Sequence, residues 1–135
     1  MATTVLTDAY VSIGGNVISD HVTQVSLSYS AEALEETAMG DTNRIKKAGL
    51  KDWSLTVELL QDFAASQIDS IFFPLIGTNV AFEIRPTSAA VSTSNPKFTG
   101  TAVLVSYPIL GNSVGDLATA TLELAPASAL TRATA

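Results

Sequence analysis

The sequence contains no cysteine and only one histidine, and its apolar runs are short. Without cysteine there is no disulfide framework, thiolate metal site or thiol nucleophile. With His21 alone, a zinc site would need three carboxylates, which is an unusual ligand set. The longest apolar run, residues 71–76, is too short to span a bilayer, and residues 1–5 show no secretory signal. We therefore expect a protein that is used without secretion and has no metal or membrane partner.

Signatures of catalysis are also missing. The sequence contains no G-x-S-x-G motif whose serine His21 could activate, and we interpret His21 as a surface histidine in a turn. The Gly14-Gly15 pair is too short to cradle a phosphate. Glutamates at 32, 35 and 36 lie on a polar segment, which favours solvated charges over a buried glycosidase pair. The sequence predicts no enzyme, no cofactor and no catalytic residue.

Charge is scarce and mostly negative. Thirteen acidic residues face seven basic ones, which gives a net charge of −6 and repulsion from nucleic acid and anionic lipid. Charged residues make up 15% of the chain and apolar ones 47%. The remaining surface must be small side chains, which suits faces covered by partners. A weakly charged β domain with no such partners fits the composition equally well.

Alternating apolar and polar residues predict strands along most of the chain. Gly14-Gly15-Asn16 indicates a hairpin turn. In residues 52–59 the apolar positions 53, 55, 57 and 59 share one face, as expected of a half-buried strand. Further strands are predicted at residues 22–29, 79–86, 97–107 and 116–124.

One helix is predicted between these strands. Asp62 is a suitable N-cap, and the apolar residues that follow it recur at helical spacing until Pro74 and Gly77. The predicted apolar stripe consists of Phe63, Ile71, Phe72 and Leu75. We predict a mainly β single domain over residues 1–135. Its architecture is an antiparallel β-sandwich or barrel of about six or seven strands with one short flanking helix, a long arm and a flexible tail over residues 125–135.

The arm, residues 30–51, is predicted to be a loop, although its first residues could start a helical turn. Four of the seven basic residues lie in its second half, after a block of acidic residues. The charges either pair within the arm or dock on a neighbouring subunit. The candidate contact residues are Glu32, Glu35, Glu36, Asp41, Arg44, Lys46, Lys47 and Lys51.

Residues 41–57, DTNRIKKAGLKDWSLTV, carry a family resemblance. A polar excursion that runs into G-L-K-D-W-S and an alternating strand resembles the tail tube (major tail) proteins of long, non-contractile-tailed bacteriophages. The order of hairpin, strand, arm, Trp53 strand, helix and later strands is similar too, over essentially the whole chain. The chain also resembles the related tube proteins of contractile tails and type VI secretion.

The resemblance implies a structural protein of the virion tail, assembled in the host cytoplasm. Subunits of this family join their sheets edge to edge in hexameric rings, and the rings stack into a tube through arms that reach the next ring. The implied partners are further copies and the tape measure, tail terminator and tail tip proteins, while DNA passes through an acidic lumen without specific binding. Glu58, Glu83 and Glu123, on polar strand faces, are candidates for lining that lumen.

Two other functions remain open from the sequence. A capsid decoration or head–tail joining protein would also assemble in a virion but would form no tube. A monomeric β-sandwich that binds carbohydrate or protein should display clustered exposed aromatic residues, whereas Trp53 and most phenylalanines lie on apolar faces here.

Overall fold

The computed structural model describes residue 5 and residues 7–134. Eight strands and one short helix make the chain mainly β, as predicted from the sequence. The strands are β1 (Tyr10–Ile13), β2 (Asn16–Val17), β3 (Val22–Glu35), β4 (Lys46–Leu60), β5 (Asn79–Arg85), β6 (Lys97–Ser106), β7 (Thr119–Pro126) and β8 (Thr131–Ala133). The helix α1 (Ile68–Phe72) runs into a 3-10 turn at Phe73–Leu75.

The strands form one antiparallel sheet in the order β2-β1-β5-β6-β7-β4-β3, with β8 also paired to β6. The sheet curls over itself. Strands β4 and β5 are separated in the sheet by β6 and β7, yet the rings of Trp53 on β4 and Phe82 on β5 lie 5.2 Å apart. The predicted sandwich or barrel is thus a single curled sheet, and within the described residues its end strands β2 and β3 do not close a barrel.

The core lies inside the curl and follows the strand periodicity. Trp53, Leu55, Val57 and Leu59 are all buried, while the residues between them face outward. The same alternation on β7 buries Ala120, Leu122 and Leu124. The predicted hairpin is also confirmed: Gly14 and Gly15 join β1 to β2 with φ angles of 62° and 84°, which glycine adopts without a steric penalty.

The helix is shorter than the sequence predicts. It begins after Gln67, and Asp62 instead accepts a hydrogen bond from Ala64 N in a turn at 2.9 Å. Phe63, predicted to lie on the apolar stripe, is 54% exposed because it precedes the helix. The predictions for Asp62 and Phe63 were therefore wrong, whereas Phe72 is buried as expected.

The arm is a β-hairpin rather than a loop or a helical start. β3 and β4 stay paired well beyond the rest of the sheet, out to Glu35 opposite Lys46, with a register shift between Ala31 and Ala33. Gly49 lies within β4. A Cβ on Gly49 would stand 2.9 Å from Glu32 Oε2, so glycine lets that side chain cross the hairpin.

The segment expected to be a flexible tail is paired in the structure. β7 continues to Pro126, and β8 resumes pairing with β6 at Thr99 opposite Thr131. Between them Ser128 accepts two hydrogen bonds from other strands: Trp53 Nε1 donates to its carbonyl at 2.9 Å, and Thr101 N donates to its hydroxyl at 2.9 Å. Small polar residues gave no sequence signal for these distant contacts.

Candidate assembly surfaces

Strand β4 connects the two ends of the molecule. It begins at Lys46 in the arm and ends at Leu60, where Leu60 N donates to the His21 carbonyl at 2.7 Å. The turn over residues 61–67 follows directly, and Gln61 N donates to Ala118 O, which brings in the loop over residues 107–118. The subunit therefore has an arm at one end and a group of loops at the other.

Most charges predicted to act in the arm form no ion pair with the residues that the structure describes. Arg44 Nη1 lies 3.9 Å from Glu35 Oε1, and this is the arm's one ion pair among the described residues. Arg44 is also 80% exposed at its side chain, so the pair contributes little. The charged candidates that form no ion pair in the described part of the chain are Glu32, Glu36, Asp41, Lys46, Lys47 and Lys51. Internal pairing therefore accounts for little of the segregated charge.

The arm also exposes large apolar side chains, which the sequence analysis did not single out as contacts. Leu34, Met39 and Leu50 are 53%, 104% and 78% exposed. Their position in a two-stranded hairpin, with no second layer behind it, leaves them in contact with water. We call these three residues, with the arm's charged candidates, the arm surface. The sequence does contain a signal for this surface, because apolar residues are interspersed in an otherwise charged segment.

The opposite end exposes a second apolar group. Phe63, Leu110, Val114 and Leu117 are each more than half exposed, and we call them the far-end surface. Gln61 fixes the backbone beneath them because its Nε2 donates to Ile109 O at 2.8 Å. The sequence analysis missed this surface, since Phe63 was placed in a helix and the loop had no periodicity.

Tyr107 secures the same end from within. Its hydroxyl accepts a hydrogen bond from Gln61 Nε2 and donates one to Asp69 Oδ1, both at 2.9 Å. Its ring lies 6.4 Å from that of Phe72, which joins the loop to the helix. Burial, opposed by the Gln61 bond and assisted by Asp69, raises the pKa of Tyr107. The phenol therefore stays protonated and keeps donating at neutral pH.

The predicted lumen residues lie on the outward face of the sheet, opposite the core. Glu58 on β4 is paired across from Thr121 of β7, and Glu123 of β7 is paired across from Thr56 of β4. Glu83 lies on β5, and its Oε2 accepts from Arg85 Nε at 2.7 Å. Glu58 and Glu123 form no ion pair with the described residues, so they supply the net negative charge of this face.

His21 lies in a turn, as predicted, but it is partly buried and connects this turn to a second one at the far end. Its Nδ1 lies 3.0 Å from Asp20 Oδ1 and its Nε2 lies 3.1 Å from Asp62 Oδ2. Burial lowers the pKa of His21, but hydrogen bonds and charge from the two carboxylates outweigh it and raise the pKa. The Ala64 N–H, and then His21, lower the pKa of Asp62.

Neither a metal site nor a membrane span emerges from the described residues. Within residues 5 and 7–134, no group of three or more histidine, aspartate or glutamate side chains could hold a metal ion. The helix found in that part of the chain is far too short to cross a membrane.

No protein-family model matches the sequence, and no curated protein matches it. Solved structures do match the fold over nearly the whole chain. A chain in the virion of a native gene transfer agent particle has a TM-score of 0.67 and 17% identity, covering 93% of this chain and 95% of its own. A chain in the tail of an empty gene transfer agent particle, determined with C6 symmetry, has a TM-score of 0.64 and 19% identity over 90% and 88%.

A third match comes from the six-fold symmetrised baseplate of the anti-feeding prophage. That chain has a TM-score of 0.65 and 16% identity, covering 98% of this chain and 97% of its own. At such low identity the likeness concerns the fold alone. Over 90–98% of its length the protein therefore shares its fold with chains found in a virion and a tail of gene transfer agent particles and in the anti-feeding prophage baseplate.

Proposed function

We propose that this protein is a non-enzymatic structural subunit of a phage-like tail that assembles with its own copies into stacked rings forming a tube. One observation carries the proposal: 90% of the chain matches the fold of a chain from a tail particle with C6 symmetry. The arm, with its exposed apolar residues and with charges that mostly form no ion pair among the described residues, supplies the surface that such assembly needs.

Stacking in this proposal joins the arm surface of one subunit to the far-end surface of a subunit in the next ring. The two surfaces lie at opposite ends of β4, so each subunit can bind one copy above and one below. A contact between two different surfaces repeats without limit along an axis, which is the geometry of a filament. Burial of the apolar residues drives association, and the arm's charges select the register.

Ring formation uses the open edges of the sheet. Strand β3 is an end strand of the sheet, so from Val22 to Tyr29 it pairs with β4 on one side only. An unpaired edge of this length invites pairing with another chain, and closure of a ring removes that hazard. Six subunits would match the symmetry of the neighbouring tail particle. The tape measure, tail terminator and tail tip proteins remain the proposed partners of the tube.

The outward sheet face is proposed to line the lumen. Glu58 and Glu123 give it negative charge without a neutralising partner, while Glu83 is offset by Arg85. A face of this kind repels phosphate and lets DNA pass without binding. The proposed location is the virion tail, after assembly in the host cytoplasm.

Negative-stain electron microscopy of the purified protein, over a range of concentration and salt, tests the proposal. Hollow rings or tubes are the expected result. Tubes that shorten at high salt would add support for the charged part of the contact. Monomers alone at every concentration, also after addition of preformed tail tips as initiators, would contradict the proposal. That result would favour a monomeric binding module, whereas closed particles without tubes would favour a decoration or joining protein.

A further inference from the structure

The His21 ring is held between carboxylates that belong to two different turns. Asp20 precedes β3, and Asp62 follows β4. The ring nitrogens lie 3.0 Å from Asp20 Oδ1 and 3.1 Å from Asp62 Oδ2, and the histidine side chain is only 18% exposed. The other oxygen of Asp62 accepts from Ala64 N at 2.9 Å, so this carboxylate orders its own turn while it binds His21.

Both contacts require a cationic imidazole. An ionised carboxylate accepts hydrogen bonds and cannot donate them, so each ring nitrogen must carry a proton to satisfy its partner. A neutral imidazole has a single N–H. Its other nitrogen would be an acceptor placed against a carboxylate oxygen that is also an acceptor, and no hydrogen bond could form there. Asp20 and Asp62 are the charged groups that face the ring within the described part of the chain.

The turn beside this contact is also held at its two ends, where Gln61 N donates to Ala118 O at 3.0 Å and Asp69 N donates to Asp62 O at 3.1 Å. It runs over residues 61–67, contains Ser66 at a φ angle of 62°, and exposes Phe63 to 54%. A non-glycine residue with positive φ persists only where its surroundings hold it. The His21–Asp62 contact is a support of this kind, because it ties the turn to the start of β3.

We propose that His21 is a pH-dependent latch that holds the turn over residues 61–67, and with it Phe63, in the position required for stacking. The link to stacking rests on the proposed function, since Phe63 belongs to the far-end surface. The latch itself is a property of the single subunit. It is closed while His21 is protonated and weakens when His21 loses its proton, because a charge-assisted hydrogen bond becomes a neutral one.

The direction of the pH effect follows from the two shifts. The pKa of His21 is raised from 6.5, so its contribution is complete below about pH 6.5 and is lost as the pH rises through the folded pKa. The pKa of Asp62 is lowered from 3.8, so its contribution is present above about pH 3.8 and is lost as the pH falls through the folded pKa. The latch is therefore closed in weakly acidic solution and open in alkaline solution.

Proton NMR of the unassembled subunit tests the latch directly, because His21 is the one histidine in the sequence. The expected pKa lies above 6.5 and falls in Asp62→Asn. Hydrogen exchange of residues 61–67, corrected for the intrinsic effect of pH, should be about 5-fold faster at pH 8.5 than at pH 5.5. A pKa at or below 6.5, or equal corrected exchange at the two pH values, overturns the latch.

His21→Gln is the matched variant, since its amide can donate to Asp62 but does not titrate. Its corrected exchange over residues 61–67 should be the same at both pH values, and Asp20→Asn should keep the pH response with its midpoint at lower pH. Sedimentation of tubes at pH 5.5 and 8.5 then tests the link to stacking. The link is supported if the critical concentration for tube formation rises with pH in the wild type but not in His21→Gln.

The two proposals can fail separately. If NMR and exchange behave as expected but no tubes form at either pH, the latch stands and the tube function falls. If tubes form with the same pH response in wild type and His21→Gln, the tube function stands and the role of the latch in stacking is overturned.

Discussion

Replacement of Leu50 by alanine should weaken stacking without weakening the subunit. Leu50 lies on the arm section of β4 and is 78% exposed in the single subunit. The substitution removes three carbon atoms, and about 0.8 kcal/mol per buried carbon gives about 2.4 kcal/mol. Stacking can bury only the exposed 78% of the side chain, so the expected loss of association free energy is about 2 kcal/mol per subunit contact.

That loss converts to a concentration. Since about 1.4 kcal/mol corresponds to a tenfold change in an equilibrium constant, Leu50→Ala should raise the critical concentration for tube formation about 30-fold. Sedimentation measures it as the protein concentration that stays in the supernatant once tubes have formed. Urea unfolding of the unassembled variant should agree with wild type within about 0.5 kcal/mol, because the side chain is exposed.

Val105→Ala is the matched control for Leu50→Ala. Val105 is 54% exposed and lies on the interior strand β6, so it belongs neither to the arm surface or the far-end surface nor to an open edge of the sheet. Its critical concentration should stay within about 3-fold of wild type. A shift below about 3-fold for Leu50→Ala, or an equal shift for both variants, would refute the proposal that the arm's apolar residues drive stacking.

Three further predictions concern charge, the core and a loop. Lys46→Glu with Lys47→Glu should shorten or abolish tubes while far-UV circular dichroism stays unchanged; unchanged tube length in electron micrographs would remove the docking role of these lysines. Trp53→Phe should lower the free energy of unfolding by about 2–4 kcal/mol, because it removes the hydrogen bond to the Ser128 carbonyl and leaves a void. Urea unfolding followed by circular dichroism measures this loss, and a value under about 1 kcal/mol would contradict the contact. Asn95→Ala should lower the free energy of unfolding by about 2–3 kcal/mol in the same assay, because the buried Asn95 accepts a hydrogen bond from one backbone N–H and donates to backbone carbonyls. A near-neutral result would mean that water replaces these hydrogen bonds.

Periodicity in the sequence predicted the elements that bury one face against the core. The strand around Trp53 is the clearest case, because every second residue is large and apolar and every one of them is buried. The turn at Gly14-Gly15 was predictable for a similarly local reason, since the two glycines suit positive φ. Such features depend on residues that are neighbours along the chain.

Features that depend on distant partners could not be predicted in this way. Asp62 has the residue type of a helix cap, but its carboxylate binds Ala64 and His21 in a turn instead. The first arm residues favour a helical turn, yet pairing with β4 across the hairpin prevails over this weak preference. The contact of Ser128 with Trp53 spans 75 residues and leaves no local pattern at all.

Among the candidate contact residues, the sequence identified the charged ones more readily than the apolar ones. A run of lysines after a run of glutamates is visible by inspection, whereas the exposure of Leu50 depends on the hairpin having no layer behind it. The far-end surface depends on how Gln61 holds the loop at Ile109, which lies 48 residues away. Both surfaces are products of the topology.

The bond between Trp53 and Ser128 also has a consequence for how the chain is made. Translation proceeds from the amino terminus, so the indole is synthesised 75 residues before the carbonyl that accepts its hydrogen bond. Until that later segment has left the ribosome, Trp53 and the edge of β6 that β8 will occupy remain uncovered. The nascent chain thus completes this part of the fold only after β8 has been synthesised, and under the proposed function only such subunits would join a ring.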